Sequence, residues 1–262
     1  MNFKLFFLSL FFILSCVFSF AQEGTRSANA HDISPVGKIM LIPFEPKLYM
    51  SEIDQKINQQ TNWKYEQIRE NFRHQLDTQL KINLTRIGPV VSFYSDSAKM
   101  SKDLDYIYKT SSLSYDLIDK PNSATAPSVR QKGIKNGQLS VEINTDQKFM
   151  NKKISDLELI AYLNKKYQTD YFVFINELDL KIDINSYDIA TDSYQREVTV
   201  HYSILDKSSK TIVAGIATSK FTSKENNPKK IVGLTFSPIA ENITSKLSVF
   251  LTPKKAKATP KK

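Results

Sequence analysis

The chain has 262 residues, of which 41% are hydrophobic and 24% charged, a composition typical of globular domains rather than of disordered or collagen-like chains. One Cys and three His leave too few ligands for a disulfide framework or a common zinc site, so we expect no metal ion and no cofactor. The formal net charge is +9, to which the last nine residues contribute five lysines: Lys254, Lys255, Lys257, Lys261 and Lys262.

The first 21 residues predict a signal peptide. Lys4 supplies a positive charge, residues 5–20 are almost continuously apolar, and Ser19-Phe20-Ala21 has the small-x-small form of a cleavage site before Gln22. No second apolar stretch of 18 residues follows, so we expect no transmembrane span in the mature chain. The sequence thus indicates an exported protein that is periplasmic or extracellular.

Cys16 gives a competing interpretation of the same segment. Ile13-Leu14-Ser15-Cys16 resembles a bacterial lipobox, in which the Cys is lipidated and anchors the protein to the outer membrane. Leu14 is bulky for its position, and Val17 and Phe18 are apolar where a lipoprotein starts a polar tether. We therefore favour the cleaved leader and keep lipidation as the alternative.

The next elements alternate between strand and helix. Residues 22–36 predict a flexible lead-in, and one α/β domain follows over 37–252. The apolar run 38–44 predicts a central strand covered on both faces and ended by Pro43. Capping signals predict helices from Ser51 and from Asn62, and Gly88-Pro89 separates the second helix from a strand at 90–94.

The middle of the domain is less regular. Spacing of apolar residues predicts a helix from Ser101 to about Leu117, and residues 120–137 predict a mobile loop. The segment 138–143 alternates like a short edge strand. The capping box Ser155-Asp-Leu-Glu158 then predicts a helix to about residue 167.

The last part predicts a β-meander and a terminal helix. Strands are expected at 171–184, 197–205 and 211–221, and Ser237-Pro238 predicts the start of a helix that reaches Phe250. The order βα-βα-(β)-αβββ-α indicates a mixed α/β (α+β) fold, with a mixed sheet and flanking helices. The Lys-rich tail 253–262 is expected to be disordered.

The tail leaves two interpretations open. It either keeps the protein soluble or makes weak contacts with anionic surfaces such as lipid or polysaccharide. The rest of the chain is nearly neutral, so we expect no specific binding of nucleic acid.

Motifs of catalysis are missing from the sequence. It holds no G-x-S-x-G, H-E-x-x-H, P-loop or G-x-G-x-x-G pattern, so we expect no enzyme and no catalytic residue. Asp179 and Asp183 alternate along a predicted strand, which is typical of its solvent face. Asp188 and Asp192 resemble part of a calcium loop without its Gly and Glu. His201 stands without a motif and is interpreted as a structural residue.

Tyrosines recur along the predicted meander at Tyr187, Tyr194 and Tyr202. Tyr is favoured at protein interfaces because its ring buries area while its hydroxyl stays hydrated, so these three are candidate partner-binding residues. Strand propensity alone would also enrich Tyr here.

Several segments resemble the α/β domain shared by the TolB amino-terminal domain, LpoB and CsgG of the bacterial envelope. They are the strand at 38–44 ending in Pro-Phe, the segment 87–91, and the run 159–174 leading into the meander. The Phe-rich leader ending in Ala-Gln resembles exported proteins of the Bacteroidota. The resemblance implies a non-enzymatic accessory or scaffold that binds another cell-envelope or secretion protein. The alternative is a secreted glycan- or ligand-binding module that uses the Tyr-rich meander.

Overall fold

A six-stranded mixed sheet forms the centre of the protein. A computed structural model describes residues 37–94, 97–117, 133–135, 138–140, 148–156 and 158–252. The strands of these residues are β1 Ile39–Ile42, β2 Tyr49–Ser51, β3 Val90–Ser92, β4 Ser111–Leu117, β5 Gly133–Lys135, β6 Gln138–Ser140, β7 Lys148–Ile154, β8 Tyr171–Asp188, β9 Ser193–Asp206 and β10 Thr211–Thr222. The helices are α1 Asp54–Thr61, α2 Tyr65–Thr85, α3 Ser97–Thr110, α4 Leu159–Tyr167 and α5 Pro228–Leu251. The predicted mixed α/β class is confirmed.

The order of the central sheet is β10-β9-β8-β1-β3. β1 runs parallel to both neighbours, with Ile39 opposite Val90 on one side and Tyr171 on the other. β8, β9 and β10 form the predicted antiparallel meander, and β2 pairs with β8 beyond the end of β1. Two further pairs, β4 with β7 and β5 with β6, stand apart from this sheet.

β1 is buried on both faces, as its apolar run predicts. Ile39 and Leu41 pack in a first core with α2 and α5, whereas Met40 and Ile42 pack in a second core with α3 and α4. The strand ends before Pro43, which has no N–H to extend the ladder.

The first core lies between the sheet and two long helices. One face of α2 is buried at Ile68, Phe72, Leu76, Leu80 and Leu84, which follow a three- or four-residue spacing. The matching face of α5 packs against α2 and β10. Burial of such side chains contributes about 1.5–3 kcal/mol each, so this interface is a principal source of stability.

The prediction of a helix as far as Leu117 is wrong at its end. The helix α3 stops at Thr110, and residues 111–117 form β4, which pairs antiparallel with β7. Leu113, Tyr115 and Leu117 recur with a period of two, so the strand pattern was present within the segment assigned to the helix.

The terminal helix begins ten residues before the predicted start, because the capping residue is Asn227 rather than Ser237. Asn227 caps the helix by accepting from Lys229 N at 3.0 Å, and Pro228 occupies the first turn. Pro238 therefore lies inside α5. Buried residues before it, such as Ile231 and Phe236, supply the packing that holds the earlier turns.

Other predicted boundaries also moved. Asn62 ends α1 in a left-handed conformation, with φ 58°, instead of starting the next helix. Part of the predicted loop at 120–137 is β5, which pairs with β6 in the predicted edge strand at 138–143. The rest of that loop, the signal peptide, Cys16, the lead-in and the Lys-rich tail lie outside the described residues.

Candidate functional site

The strand β7 lies against one face of the central sheet. Within its own two-stranded sheet it pairs with β4, from Ser111 opposite Ile154 to Leu117 opposite Lys148. Its other edge faces side chains of β8 and β9, which supply the hydrogen bonds that a neighbouring strand would supply. Such partners are needed because a buried backbone group without one costs about 1–3 kcal/mol.

Three buried side chains of the sheet hold this edge, and we call them the docking residues: Asn176, His201 and Ser203. Asn176 Nδ2 donates to Met150 O at 2.8 Å, and Met150 N donates to His201 Nδ1 at 2.8 Å. Ser203 Oγ accepts from Lys152 N at 3.0 Å and from Asn176 Nδ2 at 2.8 Å. The docking residues therefore make the hydrogen bonds to the backbone of β7 that a neighbouring strand would otherwise make.

A bulge in β8 places part of this arrangement. Ile175 pairs with Tyr202 and Glu177 pairs with His201, so Asn176 is an extra residue between them. A bulge lets two consecutive side chains turn toward one face of a sheet. Asn176 and Glu177 accordingly both contact the pair of strands β4 and β7: Asn176 bonds to Met150 on β7, and Glu177 accepts from Tyr115 on β4.

Two carboxylates and the ring of His201 lie together beside the docking residues. Glu177, Asp179 and His201 are buried, and each offers a ligand-type atom within 4.8 Å of the others. Asp179 Oδ2 lies 2.6 Å from Lys181 Nζ and 3.5 Å from His201 Nε2. The hydroxyl of Tyr115, on β4, donates to both oxygens of Glu177 at 3.2 and 3.1 Å. The expectation that Asp179 lies on the solvent face is wrong.

The surroundings of Glu177 and Asp179 shift the pKa values of the two carboxyl groups in opposite directions. Burial raises the pKa of Glu177, and the charge of Asp179 raises it further. Burial would also raise the pKa of Asp179, but the nearby His201, Lys181 and Glu177 lower it below the usual range. Of the two carboxyl groups, Glu177 therefore holds a proton more readily than Asp179, which lies beside the ammonium group of Lys181.

The tautomer of His201 limits the chemistry of this cluster. Because Nδ1 accepts the Met150 N–H, the neutral ring carries its proton on Nε2. Nε2 then has no lone pair for a metal ion, and Nδ1 has none free to act as a base. The cluster does not fit a metal centre or a His-dependent catalytic site, and its geometry serves to hold β7 on the sheet.

The side chain of Arg73 occupies the space at the carboxyl ends of the parallel strands β1 and β3. In α/β proteins, ligands often bind at this position. Arg73 Nε donates to Phe44 O at 2.9 Å, and Nη2 donates to the Tyr108 hydroxyl at 3.2 Å. The guanidinium also lies 3.6 Å from Glu70 and over the ring of Tyr94. Arg73 thus closes the position with its own hydrogen bonds.

An open cleft of about 470 Å³ lies at the opposite end of the strands. Asp206, on its wall, accepts from Ser208 N and Lys210 N and so caps the turn between β9 and β10. Asp170 lies 3.5 Å from Lys207. Asp206 and Asp170 thus already have partners within the protein. They do not form a set of free polar groups directed at one ligand.

The three candidate tyrosines of the meander occupy different environments. Tyr202 is fully buried, with 0% exposure, in the first core, so it is unavailable to a partner and the candidate is withdrawn. The reason is the register of β9, whose even-numbered residues from 198 to 204 face the helices. Tyr194 is half-buried beside Arg196, whereas Tyr187 is 50% exposed.

Tyr187 lies in a hairpin with two other exposed apolar side chains that the sequence interpretation missed. We define the hairpin tip as residues 184–194, where β8 turns into β9. Ile184 is 67% exposed and Ile189 is 85% exposed, the highest value for a large apolar side chain of the described residues. The signal in the sequence is an isoleucine inside a polar turn, between Asp188 and Asp192.

Hydrogen bonds order the hairpin tip. Asp188 Oδ1 accepts from Ala190 N at 2.9 Å, and Asp188 Oδ2 accepts from Thr191 at 2.8 Å. Asp192 accepts from the Tyr187 hydroxyl at 2.7 Å. The two carboxylates that resembled a calcium loop therefore stabilise a turn, and the side chain of Tyr187 is held by its hydroxyl before any partner binds.

The charge of the hairpin tip is opposite to that of the whole chain. Residues 184–194 contain Asp188 and Asp192 and no Lys or Arg, whereas the chain has a net charge of +9. Anionic lipid would be repelled here, and a surface that combines apolar and basic groups would be attracted.

The part of the chain that the structure describes holds no helix with the length and apolarity needed to cross a membrane. No protein-family model and no curated protein matches the sequence. Among solved structures, the lipoprotein GNA1162 from Neisseria meningitidis is similar with a TM-score of 0.36 and 10% identity, covering 82% of this chain and 99% of that one.

A lipoprotein from Caulobacter crescentus is similar with a TM-score of 0.24 and 13% identity, covering 37% of this chain and 79% of that one. At such low TM-scores and identities, neither likeness assigns a family or a function to this chain.

Proposed function

We propose that this chain is an exported protein of the cell envelope that acts without catalysis, by binding another envelope or secretion protein through the hairpin tip. The leader in the sequence supports export. The observation that carries the binding function is the ordered tip, where Ile184, Tyr187 and Ile189 remain exposed. Apolar side chains concentrated at one exposed end are typical of interaction sites.

The chemistry of the tip defines the partner. Apolar side chains flanked by Asp188 and Asp192 suit a protein surface with an apolar centre and a basic rim. Because the tip is ordered before binding, little conformational entropy is lost on association. This assignment also separates the tip from the Lys-rich tail, whose lysines would attract anionic surfaces.

The proposal is tested by photo-crosslinking in the envelope fraction of the source cells. A photoreactive amino acid replaces Ile189 in one preparation and Val249, which is 76% exposed on α5, in the other. We expect a discrete protein adduct from position 189 that position 249 does not give. Equal adducts from both positions, or none from position 189, would overturn the proposal.

A charge variant tests the chemistry of the partner. Asp192→Asn keeps an oxygen to accept the Tyr187 hydroxyl but removes the charge, so we expect less adduct and a weaker effect of salt on its yield. An adduct that does not depend on salt or on Asp192 would show that the partner is not basic.

The alternative function, glycan binding, has one observation in its favour. The exposed ring of Tyr187, with its hydroxyl fixed by Asp192, offers a flat face on which a sugar could stack. A glycan array distinguishes the two functions. Binding of a defined glycan that Tyr187→Ala abolishes, in the absence of a protein adduct at position 189, would replace our proposal with this alternative.

A further inference from the structure

The hydrogen bond between His201 and Met150 requires a neutral imidazole ring. Nδ1 of His201 accepts the Met150 N–H at 2.8 Å, which needs a free lone pair on that nitrogen. Imidazole is the side chain that takes up a second proton between about pH 5 and 8. With this proton on Nδ1, two N–H groups would point at each other, and the bond would be lost.

The other nitrogen of the ring favours the protonated state. Nε2 lies 3.5 Å from Asp179 Oδ2. Neither Nε2 nor Asp179 Oδ1 has a hydrogen-bond partner within the described residues, although both side chains are buried. The neutral ring therefore leaves two buried polar atoms unsatisfied, whereas an imidazolium would be attracted to the carboxylate.

The titratable groups next to the ring lie on β8 and β4. Glu177 pairs with His201 across the sheet, and Lys181 lies 2.6 Å from Asp179. The ring of Tyr115, on β4, meets the imidazole edge-on with the centroids 6.5 Å apart. The pKa of Asp179 lies below its usual range because hydrogen bonds from its neighbours outweigh its burial, so this carboxylate is charged at pH 5.

Charged side chains of the other strands around the ring lie against partners of their own. On β10, residues 215–217 run beside His201 and contain no titratable side chain. On β7, the ammonium group of Lys152 lies over two aromatic rings. On β9, Glu197 lies 4.0 Å from Lys220. Asp179 is therefore the partner that a protonated His201 would gain.

We propose that His201 is an acid-sensitive switch for the attachment of β7. When the ring takes up a second proton from solvent, its contact with Asp179 becomes stronger, its bond to Met150 N is lost, and the edge of β7 opens at Met150. Asn176 and Ser203 do not titrate, so their bonds keep the rest of this edge in place. The switch is independent of the hairpin tip and goes beyond the binding function proposed for it.

Amide hydrogen exchange of the mature chain, residues 22–262, tests the switch by NMR from about pH 7.5 to about pH 5. The measured quantity is the protection factor, which is the intrinsic exchange rate at each pH divided by the observed rate. We expect the protection factor of Met150 to fall by about tenfold or more toward pH 5. Its midpoint should coincide with the protonation of His201, followed by the chemical shifts of the ring nitrogens. Leu41, in β1, should keep its protection.

Three outcomes in wild type would overturn the proposal. They are constant protection of Met150, a midpoint that differs from that of the His201 ring, and an equal loss of protection at Leu41, which would indicate global unfolding.

Variants make the test specific to the ring. In His201→Asn the side-chain oxygen can take the position of Nδ1 but cannot titrate, so we expect the protection of Met150 to stay constant with pH. His74→Asn, at an exposed position on α2, is the matched control and should open like wild type. Opening of His201→Asn toward pH 5 would contradict the switch.

A carboxyl variant separates the ring from its neighbour and remains informative if His201→Asn does not fold. Glu177→Gln removes the other group of this cluster that changes its charge toward acid pH, and it should still open at Met150. Loss of the pH dependence in Glu177→Gln would assign the opening to the carboxyl group and overturn the proposal.

Discussion

At the scale of single residues, His201 shows how one backbone hydrogen bond limits the chemistry of a side chain. A buried His beside two carboxylates has the composition of a metal site or a catalytic pair. The Met150 N–H directed at Nδ1 excludes both, because it fixes the tautomer. The interpretation of His201 as a structural residue was reached from the sequence for a weaker reason, the lack of a motif. The hydrogen bond now supplies the physical one.

The raised pKa of Glu177 gives a pH-dependent prediction. This shift means that the folded chain holds a proton on this carboxyl more tightly than the unfolded chain, so stability is lost as pH rises from about 4.5 through the folded-state value. Glu177→Gln cannot ionise. We expect its Tm to match wild type near pH 4 and to exceed it by about 2–4 °C at pH 8.

Thermal melts over this pH range check the prediction, with Glu241→Gln, at an exposed position on α5, as the control. A Glu177→Gln variant that is less stable than wild type at every pH would show that the folded protein needs the ionised carboxylate.

Tyr202 gives a second prediction at this scale. Its hydroxyl is buried and has no hydrogen-bond partner within the described part of the chain. Tyr202→Phe removes that group and should stabilise the protein by about 1 kcal/mol, whereas Tyr202→Ala should lower stability by about 3–5 kcal/mol. Urea unfolding measures both, and Tyr187→Phe, at the exposed tip, should have little effect. A loss of stability in Tyr202→Phe would mean that an ordered water satisfies the hydroxyl.

At the scale of elements, local signals predicted the strands and helices with strong periodicity. β1, α2 and the meander followed from apolar runs, spacing and turn residues. The end of α3 and the start of α5 did not, because pairing of β4 with β7 and packing of Ile231 and Phe236 decided them. Local signals for both boundaries were present, as the period of two at 113–117 and as Asn227-Pro228, but they competed with other local signals. Contacts between residues far apart in the sequence decided which signal formed.

The same limit applies to the candidate site. The sequence indicated Tyr187, but the packing of β7 on the sheet could not be derived from it, since Asn176 and Ser203 are ordinary polar residues until β7 lies against them. The exposure of Ile189 depends on how far β8 and β9 extend beyond the other strands. The register of β9 likewise decided that Tyr202 is buried.

The docking of β7 predicts a local effect of Ser203→Ala. The substitution removes the acceptor of Lys152 N and Asn176 Nδ2, so we expect a loss of about 1–3 kcal/mol and faster amide exchange at Lys152. Hydrogen exchange and urea unfolding measure these effects. Ser193→Ala, at the start of β9, is the control. Unchanged exchange at Lys152 would contradict the assigned role of Ser203.

The central position of β8 predicts a strong effect of charge. Phe174 is buried in the second core between β1 and β9, so Phe174→Asp should cost several kcal/mol and prevent stable folding. Leu117→Asp, at a position 54% exposed on β4, should be tolerated. Circular dichroism during heating compares the two. A normal melt for Phe174→Asp would contradict its placement in the core.

At the scale of the whole molecule, the sequence predicts the form of the mature protein. The small-x-small pattern at 19–21 predicts an amino terminus at Gln22, whereas a lipobox at Cys16 would leave a lipid-modified Cys. Intact mass spectrometry of protein from the envelope fraction distinguishes the two, and we expect an unmodified chain from Gln22. A diacylated or triacylated Cys16 would make this an anchored lipoprotein.

The attachment of β7 to β8 and β9 has a consequence for the order of folding. Residues 148–154 precede all three docking residues in the chain, so β7 is synthesised before its partners are. The backbone groups on its free edge have no partner until the β8–β9 hairpin has formed, because the bonds that hold this edge join residues 26 or 51 positions apart in the sequence. Amide protection in β7 should therefore develop after protection in β8 and β9 during refolding. The pair of strands β4 and β7 would then fold late, and the free edge of β7 would be open to misassociation in the folding intermediate.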